Sequence, residues 1–299
     1  MQLPSPPRHP KRLVYLGTPD VGVEPLQRLH GAGFDITLVV SRPDKRRGRG
    51  KTLTPSPVKA AALELGLTVS DGLDDVAGVG ADLGVVVAYG RIIPTALLAD
   101  LPMLNLHFSQ LPRWRGAAPV ERAILAGDER TGVCLMAVAP ELDTGDVYRC
   151  DEVAIDPEES LDELRGRLVT IGAEMLVEEF SRGLGEPEPQ TGEVTYANKI
   201  EADDNRLDFT QPAVTVHRVT RLGRAWCLFR NKRLKILVAT MGQPREDASL
   251  LEAGQLCDGY VGCGDGPLRL IEVQPEGKKP MVADAWLNGV QPQPGERLG

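Results

Sequence analysis

The stretch Leu83-Gly84-Val85-Val86-Val87-Ala88 and, fourteen residues on, Met103-Leu104-Asn105-Leu106-His107 decides the fold. The first run is short and continuously apolar, as a parallel strand covered on both faces must be. The second is a short strand in which Asn105 and His107, two residues apart, project to the same face. Both polar side chains then stand at the strand's carboxyl end, the edge where open α/β sheets bind ligands. An amide that can donate and an imidazole that can take or give a proton therefore share that edge.

Outward from these two strands the chain alternates. Arg12 to Leu16 and Phe34 to Val40 are apolar strands, and the residues from the turn Gly17-Thr18-Pro19-Asp20 to about Leu29 suit a helix between them. That turn lacks the G-x-G-x-x-G of a dinucleotide site. Ser56 to Leu65 suits a helix with Pro57 in its first turn, and Leu67 to Val69 a short strand. Ala117 to Ala126 suits a helix, Val133 to Val138 a strand, and Val147 to Ile155 an edge hairpin. From Glu159 to Arg182, Leu161, Leu164, Leu168, Ile171, Met175, Leu176 and Phe180 recur at helical period. This order predicts a doubly wound, mostly parallel α/β domain over residues 11–185. Residues 1–10 hold four prolines and no apolar period, and are expected to be disordered. Residues 186–206 form a polar linker. Beyond it come a helix over 213–222 and short strands at Trp226–Phe229, Leu234–Ala239, Gly259–Cys263 and Leu268–Gln274, a pattern of a small β-barrel over 207–299.

The chemistry gathers around His107. Ser109 follows two residues later, and Leu142-Asp143-Thr144-Gly145-Asp146 places carboxylates in a turn after another apolar strand. Amide, imidazole and carboxylate form an acyl-transfer set: the amide donates to a developing oxyanion and the carboxylate orients the imidazole. Asp143 ranks ahead of Asp146 in that role, although Asp-Thr-Gly is also ordinary turn chemistry. His9, His30 and His217 have no such company.

The ordered series Asn105-x-His107-x-Ser109-x-Leu111-Pro112, Arg113-Trp114-Arg115-Gly116-Ala117-Ala118-Pro119 and Leu142-Asp143-Thr144-Gly145-Asp146 resembles the folate-dependent formyltransferases. The Arg-Trp-Arg-Gly-Ala-Ala-Pro run is similar to the members that act on methionyl-tRNA. Gly17-Thr18-Pro19-Asp20, Arg47-Gly48-Arg49-Gly50-Lys51, Pro55-Ser56-Pro57-Val58-Lys59, Thr195-Tyr196-Ala197 and Gln274-Pro275-Glu276-Gly277-Lys278-Lys279-Pro280-Met281 extend the likeness along most of the chain.

The resemblance implies a Rossmann-like formyltransferase domain followed by an OB-type barrel that contacts tRNA. It implies formyl transfer from 10-formyltetrahydrofolate to the amine of methionyl-initiator tRNA, without a metal. Asn105 and protonated His107 would stabilise the oxyanion, and Asp143 would keep His107 charged and oriented. Ser109, Gln110, Leu111 and Pro112 would form one wall of the folate site. Val86, Val87, Ala88, Tyr89, Gly90 and Arg91, with residues 140–143, would offer backbone contacts to the pterin. Trp114 suits either an apolar contact or the core. Three departures stand out. Phe108 occupies a place where the family usually has glycine, and a phenylalanine adopts φ > 0 only at a cost. Gln110 stands where the family often has leucine. Leu222-Gly223-Arg224-Ala225-Trp226-Cys227 replaces an Asn-Pro-Trp-Pro type stretch.

Net charge is −8 over 299 residues, so any polyanion must meet a local basic patch. Residues 42–51 supply one: Arg42, Lys45, Arg46, Arg47, Arg49 and Lys51 against the single acid Asp44. Composition alone leaves a solvated loop and a phosphate contact both open, and the resemblance points to the acceptor end of tRNA. Gly50-Lys51-Thr52 imitates the end of a P-loop, but Lys45 stands where that loop needs glycine. The five cysteines form no C-x-x-C and are expected to be reduced structural thiols of a cytoplasmic protein. No apolar run approaches a membrane span, and one chain carries a complete catalytic set, so a monomer suffices. A formyltransferase acting on a small amine and a non-catalytic RNA-binding protein are the competing readings. The basic loop and barrel oppose the first, and the intact Asn105, His107 and Asp143 oppose the second.

Overall fold

The structure, a computed structural model, describes residues 3–47, 52–241 and 251–299. The packing of Cα atoms divides the chain into two compact units, each made of more than one segment. The first comprises residues 1–119, 130–154 and 165–197, and the second 120–129, 155–164 and 198–299.

The elements of the first unit follow the expected alternation. They are β1 (Arg12–Gly17), α1 (Val23–Gly31), β2 (Asp35–Val40), β3 (Lys45–Arg47), β4 (Thr52–Thr54), α2 (Pro57–Glu64), β5 (Val69–Ser70), β6 (Leu83–Val87), α3 (Thr95–Asp100), β7 (Met103–His107) and β8 (Arg115–Gly116). After α4 (Pro119–Ala126), which but for Pro119 falls in the second unit, come β9 (Arg130–Ala137), β10 (Val147–Ala154), α5 (Leu161–Arg182), whose first turn also falls in the second unit, and β11 (Tyr196–Ala197). Seven strands form one mixed sheet in the order β10-β9-β7-β6-β1-β2-β5. β6, β1, β2 and β7 run parallel, β9 is antiparallel to β7, and β10 is the antiparallel edge. All five residues of β6 are buried, as a strand between two parallel neighbours should be. In α5 the periodic Leu164, Leu168, Met175, Leu176 and Phe180 are each 2% exposed or less.

Three expectations are corrected here. Residues 3–10 are not loose: Leu184 N donates to Arg8 O at 2.7 Å, and Leu3 packs on the buried cluster that holds Val14 and Tyr89. The basic segment is not a bare loop. β3 and β4 pair antiparallel as a hairpin, with Lys45 opposite Thr54 and Arg47 opposite Thr52. Cys134 and Cys150, expected as thiols, lie directly opposite on β9 and β10 with Cα atoms 4.1 Å apart and form a disulfide. Their 16-residue separation gave no local motif to betray the pairing.

The second unit holds α6 (Ala213–Thr220), β12 (Trp226–Phe229), β13 (Lys232–Thr240), β14 (Leu256–Cys257), β15 (Tyr260–Gly262), β16 (Pro267–Pro275), β17 (Met281–Val282) and α7 (Ala283–Val290). The strands form an antiparallel sheet ordered β12-β13-β16-β15-β14, with β17 also on β16. Its two edges meet through residues 296–299. Leu228 and Gly299 exchange both backbone hydrogen bonds (2.7 and 3.0 Å), while Leu256 N reaches Glu296 O and Leu298 N reaches Gly254 O. The sheet is thereby closed into the expected barrel around Ile236, Val261, Leu268, Val273 and Trp286. No helix among the described residues is long and apolar enough to cross a membrane.

Candidate active site

β6 and β7 run parallel with Val86 opposite Asn105, so the ends of β1, β6 and β7 open on one edge of the sheet. Asn105 and His107 stand there as expected. Asn105 is half-buried, and its side chain makes no hydrogen bond among the described residues. His107 is 5% exposed. Its Nε2 lies 2.9 Å from the carbonyl of Trp114, and a carbonyl only accepts, so Nε2 carries the proton. Its Nδ1 faces Asp143 Oδ2 at 3.7 Å, too long for a hydrogen bond. Asp143 Oδ2 accepts from Gly116 N at 2.7 Å. Asp146, the second-ranked carboxylate, is exposed and contributes its backbone carbonyl to Ala137 N at 2.8 Å.

The backbone around this cluster is bent with effort. Trp114 has φ +64° and Asp143 φ +52°. For non-glycine residues such conformations cost about 1–3 kcal/mol each and persist only where the surroundings over-determine them. At Trp114 two hydrogen bonds do so: its N–H donates to Thr195 Oγ1 at 2.9 Å, and its carbonyl receives His107. The strain aims that carbonyl at the imidazole. Phe108 keeps a negative φ and is buried, so the departure at this position leaves the strand end regular; the left-handed residues fall at Trp114 and Gly116. At Gly116, φ +124°, a Cβ would stand 2.8 Å from Ala197 O. At Gly145 a Cβ would stand 1.9 Å from Ala137 O, so only glycine lets the Asp143 turn sit against β9.

The expected folate residues divide. Ala88 (φ +48°) and Gly90 (φ +72°) turn the backbone after β6 outward, and Ala88, Gly90 and Arg91 are exposed at the strand edge. Val86, Val87 and Tyr89 are buried, so they can offer a ligand backbone groups and little side chain. Ser109 is fully buried and donates to Arg113 O at 2.6 Å, which makes it a former of the 109–113 turn. Gln110 is exposed and donates to Glu152 on β10 at 2.9 Å. Leu111 is half-buried and Pro112 buried. Within the loop after β6, Tyr89 O already accepts from Thr18 Oγ1 at 3.0 Å and Gly90 O from Arg42 Nη2.

The basic residues divide too. Lys45 and Arg46 are exposed on β3, and Arg47 is the last residue of that strand. Arg49 and Lys51 lie outside the described residues. Arg42 is set apart: its Nη2 donates to Gly90 O, in the loop after β6. The base of the hairpin is fastened by Ser41 Oγ and Ser56 Oγ at 2.6 Å, and by Asp44 and Asp71, both on Lys59 Nζ at 2.7 and 2.9 Å. Those two carboxylates hold the Lys59 amine above its ordinary pKa.

The polar segment 186–197 belongs to this site and was missed. Val147 and Glu188 exchange backbone hydrogen bonds at 2.8 and 2.9 Å, β11 pairs parallel with β8, and Thr195 receives Trp114 N–H. Thr195-Tyr196-Ala197 was a usable signal, having stood out in the sequence.

The formyl transferase family model matches residues 11–180, and the model of the formyl transferase C-terminal domain matches residues 199–291. A methionyl-tRNA formyltransferase of Methylobacterium nodulans is 41% identical, over 97% of this chain and 99% of its own. One of Ruegeria pomeroyi is 42% identical, over 96% and 100%. The crystal structure of an N-formyltransferase from Helicobacter canadensis, in complex with folinic acid and dTDP-3-aminofucose, shares the fold with a TM-score of 0.67 at 15% identity, covering 89% of this chain and 99% of that one.

Proposed function

This chain belongs to the formyl transferase family through both of its domains, and on that premise we propose how its residues divide the work. The reaction is transfer of a formyl group from a formyl-folate to the amino group of methionyl-tRNA. The donor is 10-formyltetrahydrofolate and the acceptor the initiator tRNA. The amine attacks the formyl carbon, the bond to N10 breaks, and one amine proton passes to N10. Asn105 donates its amide N–H to the oxyanion of the tetrahedral intermediate. His107, with Nε2 engaged by Trp114, has only Nδ1 to present to the reacting atoms. Protonated there, it faces both Asp143 and the oxyanion. Asp143 balances that charge and takes part in moving the amine proton.

The observation that carries this reading is the convergence of Asn105, His107 and Asp143 at one sheet edge, in a chain of this family from end to end of its relatives. The basic hairpin beside that edge suits a tRNA acceptor end, because a protein of net charge −8 needs such a patch to hold a polyanion. The barrel adds tRNA affinity.

The test is direct. The protein, 10-formyltetrahydrofolate and methionyl-initiator tRNA should give formylated tRNA and one tetrahydrofolate per formyl group. Formylation of a nucleotide-linked amino sugar with none of methionyl-tRNA would overturn the reading, as would tRNA binding with no tetrahydrofolate released.

A further inference from the structure

Gln190 lies forty-seven residues beyond Asp143 and makes four hydrogen bonds around it. Its Nε2 donates to Asp143 O at 2.9 Å and to Gly145 O at 2.8 Å. Its Oε1 accepts from Arg115 Nε at 3.0 Å and from Arg115 Nη2 at 2.7 Å. Chemistry fixes which way the amide faces. A guanidinium only donates and a peptide carbonyl only accepts, so the reversed amide would lose all four bonds.

We propose that Gln190 is a positioning residue of the reaction, clamping the left-handed turn of Asp143 so that the carboxylate faces His107. The proposal rests on the catalytic reading of Asp143 given above. Asp143 holds φ +52°, a conformation its own side chain does not enforce, since Oδ2 is spent on Gly116 N. The turn is held from one side by Gly145 against Ala137 and by Ala137 N on Asp146 O. Gln190 supplies the other side. No other side chain does this work: glutamate cannot donate, asparagine is one methylene shorter, and methionine offers neither group. The second half of the clamp, Arg115, sits next to Gly116, whose N–H bonds Asp143 Oδ2. One amide thereby links the two backbone stretches that define the carboxylate's place.

The experiment is a double-mutant cycle on the full-length protein with Gln190→Met and Asp143→Asn, read with methionyl-tRNA and 10-formyltetrahydrofolate. Gln190→Met should lower kcat about tenfold or more and leave both KM values within about twofold, with the thermal midpoint lowered by the loss of four hydrogen bonds but the protein folded at the assay temperature. In the Asp143→Asn background the same substitution should cost nothing further, because the group it positions is gone. Multiplicative losses would show a role independent of Asp143 and overturn the proposal, as would unchanged kcat or a change confined to KM. If Gln190→Met fails to fold, Gln190→Glu replaces it, since it keeps the shape and the Arg115 pairing but sets a carboxylate against two carbonyls. Full activity of Asp143→Asn alone would instead refute the reading of Asp143.

Discussion

His107 donates its Nε2 proton to the carbonyl of Trp114, seven residues further on, and that bond fixes which nitrogen can do chemistry. Nδ1 alone is left to exchange a proton, and it looks at Asp143. His107→Gln separates the two roles. A glutamine amide can still donate to Trp114 O, so the strand end should stay in place, with a stability loss under about 1 kcal/mol and a thermal shift of no more than about 2–4 °C. It carries no positive charge to set against the oxyanion, so kcat should fall by a factor on the order of 10²–10³. Steady-state kinetics beside calorimetry decides it: near-normal turnover would remove His107 from stabilisation of the oxyanion.

The two carboxylates of the 143–146 turn should behave oppositely. Asp143 is tied to Gly116 N and faces the imidazole, whereas the Asp146 side chain is exposed. Asp143→Asn keeps an oxygen for Gly116 and deletes the charge, and should lower kcat by a factor on the order of 10². Asp146→Asn, a surface change, should leave stability within about 0.5 kcal/mol and turnover near wild type. Rate measurements on the pair test this, and an inactive Asp146→Asn with an active Asp143→Asn would reverse the assignment.

How legible this site was depends on how each residue is held. Asn105 and His107 could be placed from sequence because strand periodicity alone puts i and i+2 on one face. β7 was expected over Met103 to His107 and spans those residues. Helix α5 was legible because seven apolar residues share a 3.6 period. Gln190 and Thr195 act through hydrogen bonds to residues 47 and 81 positions away, in a segment without apolar period, and no local pattern encodes that. The same holds for residues 296–299, whose role is to pair with two strands distant in sequence. Ser109 has a structural task that its type does not display in sequence: it is fully buried and donates to Arg113 O, closing the 109–113 turn.

The basic residues should separate by experiment as they do in space. Lys45 is exposed on the hairpin, and Arg49, outside the described residues, sits in the sequence between two glycines. Lys45→Ala and Arg49→Leu should each raise KM for tRNA and leave folate affinity intact. Removal of one phosphate contact should also flatten the dependence of log affinity on log salt by about 0.7 for single-stranded RNA. Arg42 bonds Gly90 O, so Arg42→Leu should weaken folate binding in the absence of any tRNA. Calorimetric titration with the folate alone measures this, and unchanged affinity would return Arg42 to the RNA-contacting group.

Residues 296–299 should govern the stability of the barrel. They join the edge strand β12 to β14 and to Gly254 just before it through four backbone hydrogen bonds, and Leu298 is 3% exposed in the core. Each net hydrogen bond contributes about 1 kcal/mol and a buried leucine about 1.5–3 kcal/mol. Deleting residues 296–299 should therefore cost on the order of 5–7 kcal/mol in the second unit, seen as an earlier calorimetric transition. Leu298→Ala alone should cost about 2–5 kcal/mol. The tail also carries an acid-sensitive tie. Glu296 accepts from Arg230 Nε and Nη2 at 2.6 and 2.8 Å and from Gln293 N at 3.0 Å. Those donors, Arg230 foremost, hold its carboxyl at about 2, against an ordinary 4.5. Because the folded value is the lower one, the stabilisation is present in full above the ordinary value and is lost as pH falls from there through about 2. Wild type should exceed Glu296→Gln in stability at neutral pH, and the two should converge over that acid window. A difference that persists below pH 2, or no difference at pH 7, would show that the carboxylate does not hold the tail.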